Sequence, residues 1–91
     1  MRVRFTVEAL AHIGAFRSFI VAKSPRAAEH IVERIFAEAD RLGDFPRLGH
    51  AGQVSGTWER TVPKLPYIIV HELDRNGQVI VLGVYHGAQD R

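Results

Sequence analysis

The stretch YIIVHELDRNGQVIVLGVYH, residues 67–86, decides the fold. Two runs dense in Ile and Val flank the tetrapeptide DRNG at 74–77. β-Branched residues at that density favour extended backbone, and runs of about four to eight apolar residues between turn signals have strand length. Asn-Gly is the strongest short-range hairpin signal, so Asn76-Gly77 is expected to join two antiparallel strands. A two-stranded hairpin is marginal in water. The rest of the chain must therefore cover it.

Working outward, TWERTV (57–62) is a third strand candidate, joined to the hairpin by a tight turn at PKLP (63–66). Upstream, DFPRLGHAGQVSG (44–56) reads as one long irregular segment punctuated by Pro46, Gly49, Gly52 and Gly56. At the other end, RVRFTV (2–7) alternates Val3, Phe5 and Val7 with Arg2, Arg4 and Thr6, a period of two that marks a half-buried strand.

Between these strands the period changes. Leu10, Ile13, Phe16 and Ile20 recur at the steps of one helical face, with Glu8 suited to the positive end of the helix dipole. Pro25 ends that helix and, with Ser24 as N-cap, opens a second. Ala28, Ile31, Ile35, Ala39 and Leu42 form its stripe, widened by Val32 and Phe36, and Gly43 is the expected stop. Burying Ile31, Ile35, Phe36 and Leu42 contributes about 1.5–3 kcal/mol each. The two stripes, separated by a short loop, describe a helical hairpin laid on something flat, and the element order is β-α-α-β-β-β.

A chain of 91 residues has room for one core, so residues 1–91 form a single domain. With no cysteine, disulfides and thiolate metal sites are excluded, consistent with a reducing cytoplasm. No run approaches a membrane span and the N-terminus lacks a signal-peptide core, so neither membrane nor export is expected. The formal charge of +2, a pI near 9.5 and five histidines favour an anionic partner without naming one.

No phosphate-loop, dinucleotide, zinc-protease or serine-hydrolase spacing occurs. His30 and Glu33 lie one turn apart without a visible third ligand and read as solvated helix surface, so no metal is expected. On a strand, Trp58 and Arg60 share one face and Glu59 takes the other. Trp58 reads as core, Arg60 as either a phosphate or carboxylate ligand or a plain surface arginine, and His71 as a half-buried structural histidine. His86 closes the last strand, immediately before Gly87.

Taken together, these segments resemble the RelE/ParE superfamily of type II toxin–antitoxin toxins. The resemblance is carried by Ser55-Gly56-Thr57-Trp58-Glu59, Pro66-Tyr67-Ile68-Ile69-Val70-His71, Asn76-Gly77 and the closing Val81-Leu82-Gly83-Val84-Tyr85-His86-Gly87-Ala88-Gln89. The FTVEAL strand–helix start, the Pro25 hairpin and the FPRLGH loop agree with it. It implies an α+β fold, RelE/ParE-like, with the helical hairpin packed on a twisted antiparallel sheet. It also implies a cytoplasmic toxin that a co-expressed antitoxin neutralises by wrapping around it, with no cofactor.

Two mechanisms occur in the superfamily: inhibition of DNA gyrase, and ribosome-dependent cleavage of mRNA. The nuclease branch uses a glutamate before the second strand, an arginine on the third and a strand-end histidine followed by tyrosine. Here His86 matches the histidine, but LGHAGQVSG (48–56) has no glutamate, Tyr67 and Ile68 stand near the arginine position, and Gly87 follows His86. Gly83 and Trp58 also replace arginines common in the family. The resemblance therefore leans to ParE and gyrase, leaving a nuclease, or a decayed toxin that only binds antitoxin, as alternatives. As a nuclease, His86 would be acid or base and Arg60 would hold phosphate. Target contacts are expected at Arg60, His86, Gln89 and Arg91. Antitoxin contacts are expected on the first helix at Leu10, Ile13, Phe16, Arg17, Phe19 and Ile20, because so small a domain leaves apolar surface that it cannot cover itself.

Overall fold

The computed structural model describes residues 3–87. Its elements are β1 (Val3–Phe5), α1 (Val7–Val21), α2 (Pro25–Asp44), β2 (His50–Ala51), β3 (Thr57–Thr61), β4 (Tyr67–Leu73) and β5 (Val79–His86). They make one five-stranded sheet in the order β1-β5-β4-β3-β2 with the helical hairpin packed on one face.

The 67–86 hairpin forms as its sequence requires, with β4 and β5 antiparallel from Leu73 opposite Val79 to Tyr67 opposite His86. Its turn is built by Asp74 rather than by the Asn-Gly pair alone. The Asp74 carboxylate accepts the N–H groups of Asn76 (2.8 Å) and Gln78 (2.9 Å), and Gly77 alone of the pair takes a left-handed conformation, at φ 79°. A bulge interrupts the ladder: Val70 pairs with Gly83 but His71 with Val81, leaving Leu82 as the extra residue. The bulge reverses the strand's parity, so that Val79, Val81 and Val84 all reach the buried face.

Two features of the sheet depart from the sequence expectation. The segment 44–56 contributes the short strand β2, which pairs with Trp58 and Glu59 of β3. The sheet is antiparallel except at one edge, where β1 runs parallel to β5, from Val3 opposite Val79 to Phe5 opposite Val81. These strands are joined by the whole domain rather than by a turn, so nothing local sets their relative direction.

Both helices start where capping chemistry places them. Thr6 Oγ1 accepts the Ala9 N–H at 3.0 Å and Ser24 Oγ the Ala27 N–H at 3.1 Å. On α1 the core face is Ala9 and Ile13 with Phe16 and Ile20 behind them, whereas Leu10, expected in that stripe, is 49% exposed. The cap at Thr6 also hydrogen-bonds Leu82 O, which ties the start of α1 to β5 and turns Ala9 to the sheet. On α2 Ile35, Ala39 and Leu42 are buried as expected. Phe36 lies at the margin, its ring 5.2 Å from Phe5. The helix runs past Gly43 to Asp44, ending as the Phe45 N–H donates to Arg41 O.

Candidate functional site

His86 lies at the end of β5 on the helix-covered side of the sheet. A ladder of rings leads to it: Phe16 of α1 is 5.0 Å from Tyr67, and Tyr67 is 5.5 Å from His86, edge to face. The strand ends there because Gly87 donates to Pro66 O, at 2.6 Å, and closes the ladder. Burial raises the Tyr67 phenol above its ordinary pKa.

Arg60 does not share a site with His86. Pairing places Arg60 opposite Ile69 and His86 opposite Tyr67, two strands and two residues apart, or about 12 Å by strand geometry. Its Nε instead donates to Glu38 of α2 at 2.7 Å. Glu38 is only 6% exposed, and Arg41 stands 3.7 Å from its other oxygen. Of the readings open to Arg60 from sequence, a phosphate ligand, a carboxylate ligand or a plain surface arginine, the structure shows the second: its guanidinium compensates a buried carboxylate. Trp58, on the same face of β3, is half-buried.

His71 is fully buried rather than half-buried. Its Nε2 lies 2.7 Å from Pro46 O; a carbonyl only accepts, so Nε2 carries the proton. Nδ1 then faces the core as an acceptor with no partner. Desolvation lowers the imidazole's pKa, and the bond to Pro46 offsets part of that effect. His71 therefore ties the loop after α2 to the sheet.

The face of the sheet away from the helices holds a hollow of about 400 Å³. Val70 and Leu82 line its floor, Val54 and Tyr85 its walls, and Glu59 and Glu72 supply two carboxylates. Glu59 is 6% exposed beneath the 52–56 loop, with Gln53 N at 3.4 Å and His50 Nε2 at 3.7 Å from its oxygens. Gly83 belongs to the same arrangement. A β-carbon there would meet the Tyr85 ring at 2.9 Å, so the missing side chain is the space in which that ring lies. Tyr85 also sits 5.0 Å from His12, whose Nδ1 accepts the Val84 N–H at 3.2 Å and so covers the edge of β5 past the end of β1. This hollow escaped the sequence reading, although alternation along β3 and β4 puts Glu59, Val70 and Glu72 on one face.

The residues expected to meet an antitoxin divide by exposure. Ile13 is 4% exposed and belongs to the core, so it has almost no surface to offer. Phe16 and Ile20 are half-buried against the core, while Leu10 and Phe19 are 49% and 67% exposed. Arg17 is exposed and paired with Glu29 at 2.6 Å, and Lys23 lies over the Phe19 ring at 4.7 Å. Val7 is also open to solvent, so α1 is apolar on its outer side as well as its inner one. Gln89 and Arg91 lie outside the described residues. Among the described residues no helix is long and apolar enough to cross a membrane.

Comparison with known proteins agrees with this architecture. A solved structure described as the chromosomal ParDE TA system from P. aeruginosa superposes with a TM-score of 0.82, covering 94% of this chain and 95% of that one at 19% identity. That likeness establishes the fold. In sequence, the protein Y4kP of Sinorhizobium fredii is 33% identical over 88 residues, which span 97% of this chain and 90% of the relative. Toxin RelE2 of Caulobacter vibrioides is 31% identical over 88 residues, or 97% of each chain. The family described as ParE toxin of type II toxin-antitoxin system, parDE, matches residues 3–91. The chain therefore belongs to the ParE toxin family and is the toxin of a type II toxin–antitoxin system.

Proposed function

We propose that this toxin acts in the cytoplasm by inhibiting DNA gyrase, and that its antitoxin crosses the outer side of α1. The observation that carries the first part is the absence of an assembled nuclease site among the described residues. RNA cleavage through the 2′-hydroxyl needs an acid and a base around one phosphate, with cationic groups to stabilise it. Arg60, the candidate cation, is held by Glu38 two strands away from His86. The hollow on the open face presents Glu59 and Glu72, which repel phosphate, and no Lys or Arg is among its described lining residues.

The second part rests on exposed apolar surface at Leu10 and Phe19, with Phe16, Arg17 and Ile20 beside them. A partner that covers this surface gains the hydrophobic term, while acidic side chains directed at Arg17 speed association more than they tighten it. Phe19→Asp together with Arg17→Glu is expected to weaken antitoxin binding while leaving the fold unchanged, since both side chains are exposed. Unchanged affinity would rule out this placement.

The deciding experiment induces the toxin without its antitoxin and measures plasmid supercoiling and mRNA integrity together. Inhibited supercoiling with intact mRNA is the expected result. His86 at the strand end supports the competing endonuclease reading, for which loss of an acid or base costs about 10²–10⁴-fold in rate. Ribosome-dependent mRNA cleavage that disappears in His86→Ala would establish that reading. A well-folded chain that leaves growth unaffected would establish a decayed toxin.

A further inference from the structure

The hollow lies on the open face of the sheet and meets α1 at one rim, where Tyr85 stands 5.0 Å from His12, and its chemistry differs from that of the rest of the molecule. The chain carries a formal charge of +2, yet among the described residues the charged side chains that line this hollow are the carboxylates of Glu59 and Glu72. Its volume, about 400 Å³, falls within the range of small-ligand sites. Apolar surface from Val54, Val70 and Leu82 surrounds the carboxylates, and the Tyr85 ring, laid over Gly83, forms one wall. Glu59 is buried beneath the 52–56 loop, so its charge acts in a medium less polar than water.

We propose that this hollow binds the guanidinium of an arginine side chain presented by the protein on which the toxin acts. A guanidinium is planar, always charged and weakly hydrated. It pairs with carboxylates through parallel N–H groups and stacks on aromatic faces, while its methylene stem packs on apolar walls. Each of these demands has a counterpart here: the half-exposed Glu72 carboxylate with the charge of Glu59, the Tyr85 ring, and Val70 with Leu82. Glu59 contributes its charge and not a vacant lone pair, because that carboxylate also lies near Gln53 N–H and His50. A phosphate is repelled by the same charge, and a nucleotide base would carry its phosphate toward two carboxylates.

The source is the target and not the antitoxin, because the surface assigned to the antitoxin lies on the opposite layer and favours acidic side chains at Arg17. The inference rests on reading the chain as a toxin with a protein target, but arginine binding can be measured apart from it. The test is an NMR titration of the full ¹⁵N-labelled chain with N-acetyl-arginine amide. Amide shifts are expected at Val70, Glu72, Leu82 and Tyr85, with none from the citrulline counterpart, which keeps the shape and lacks the charge. Glu72→Gln, at a half-exposed position, should weaken binding about two- to fivefold and reduce growth inhibition. Glu59→Gln should weaken it further; because Glu59 is buried, Glu72→Gln carries the test if that variant fails to fold.

No local shift, or an equal response to citrulline, would overturn the proposal. Shifts produced instead by cytidine or guanosine monophosphate would assign the hollow to RNA. Arginine binding with undiminished toxicity in Glu72→Gln would overturn the target as its source. Arginine binding and a toxicity loss in Glu72→Gln, without any effect on supercoiling, would leave this proposal standing and remove gyrase as the target.

Discussion

Replacing Arg60 with methionine separates a structural role from a functional one. The substitution keeps an unbranched apolar stem but removes the cation from a carboxylate, Glu38, that is 6% exposed. Removing one partner of a buried pair costs about 3–5 kcal/mol when the other charge is left alone. Here Arg41 remains 3.7 Å from Glu38 and is half-exposed, and Arg60 is itself 24% exposed at its side chain, so a loss of about 2–3 kcal/mol is expected. Against a domain stability of about 5–15 kcal/mol, that is a large fraction. In urea, with a slope of about 1–2 kcal/mol per M, the midpoint should fall by about 1–3 M. Adding Glu38→Met removes the stranded carboxylate, so the double variant should recover most of the loss, with a coupling of about 1–3 kcal/mol. Growth inhibition should recover with it. A single variant within about 0.5 kcal/mol of the parent would refute the structural role. A stable double variant that has lost toxicity would return Arg60 to the target contact expected from sequence.

Two further outcomes follow from buried and close-packed groups. His71 is held neutral in the fold with its pKa lowered by burial; the unfolded chain takes up a proton first, near pH 6.5. This contribution is therefore complete above that pH and is lost as pH falls toward the folded pKa, by at most about 1.4 kcal/mol per unit. In His71→Gln, which can still donate to Pro46 O, the thermal midpoint should lose that component of its acid sensitivity, and an unchanged pH profile would show that another group is responsible. Gly83→Ala forces the Tyr85 ring off β5, because the new methyl would lie 2.9 Å from it; a loss of about 1 kcal/mol, largely absent in a Tyr85→Ala background, is expected from urea midpoints, and additive losses would break the link.

The parts of the fold legible in the sequence are those fixed by neighbours along the chain. Ser24 reads as a cap and is one, because its hydroxyl needs only the amide three residues on; Thr6, which alternation assigns to the first strand, caps α1 through the same local contact. The 67–86 hairpin carries its own turn. What could not be read depends on distant partners. In α1 apolar residues occupy both sides, so the periodic set with Leu10 was as plausible on paper as the one with Ala9 that the sheet selects. The direction of β1 and the bulge at Leu82 are consequences of docking. At the candidate site, alternation correctly separated Glu59 from Trp58 and Arg60, yet Glu38, eleven residues past Ala27 on another element, decides what Arg60 does.

These placements make neutralisation itself a test of the architecture. The sheet stands between Leu10 and Phe19 of α1 and the carboxylates of the hollow, and α1 approaches the hollow at the His12–Tyr85 contact, so an antitoxin confined to the Leu10 and Phe19 surface would not touch Glu72. An antitoxin that silences the toxin by blocking its target contact must then extend around the sheet edge to the open face. The expectation is that an antitoxin fragment limited to the Leu10 and Phe19 contact binds the toxin but leaves N-acetyl-arginine amide binding at Glu72 intact and growth inhibition unrelieved. The longer antitoxin should abolish both. Binding is followed by calorimetry, the hollow by amide shifts, and neutralisation by growth. Full neutralisation by the short fragment while the arginine probe still binds would mean that the toxin meets its target through the helical face, and the open face would lose its role in inhibition.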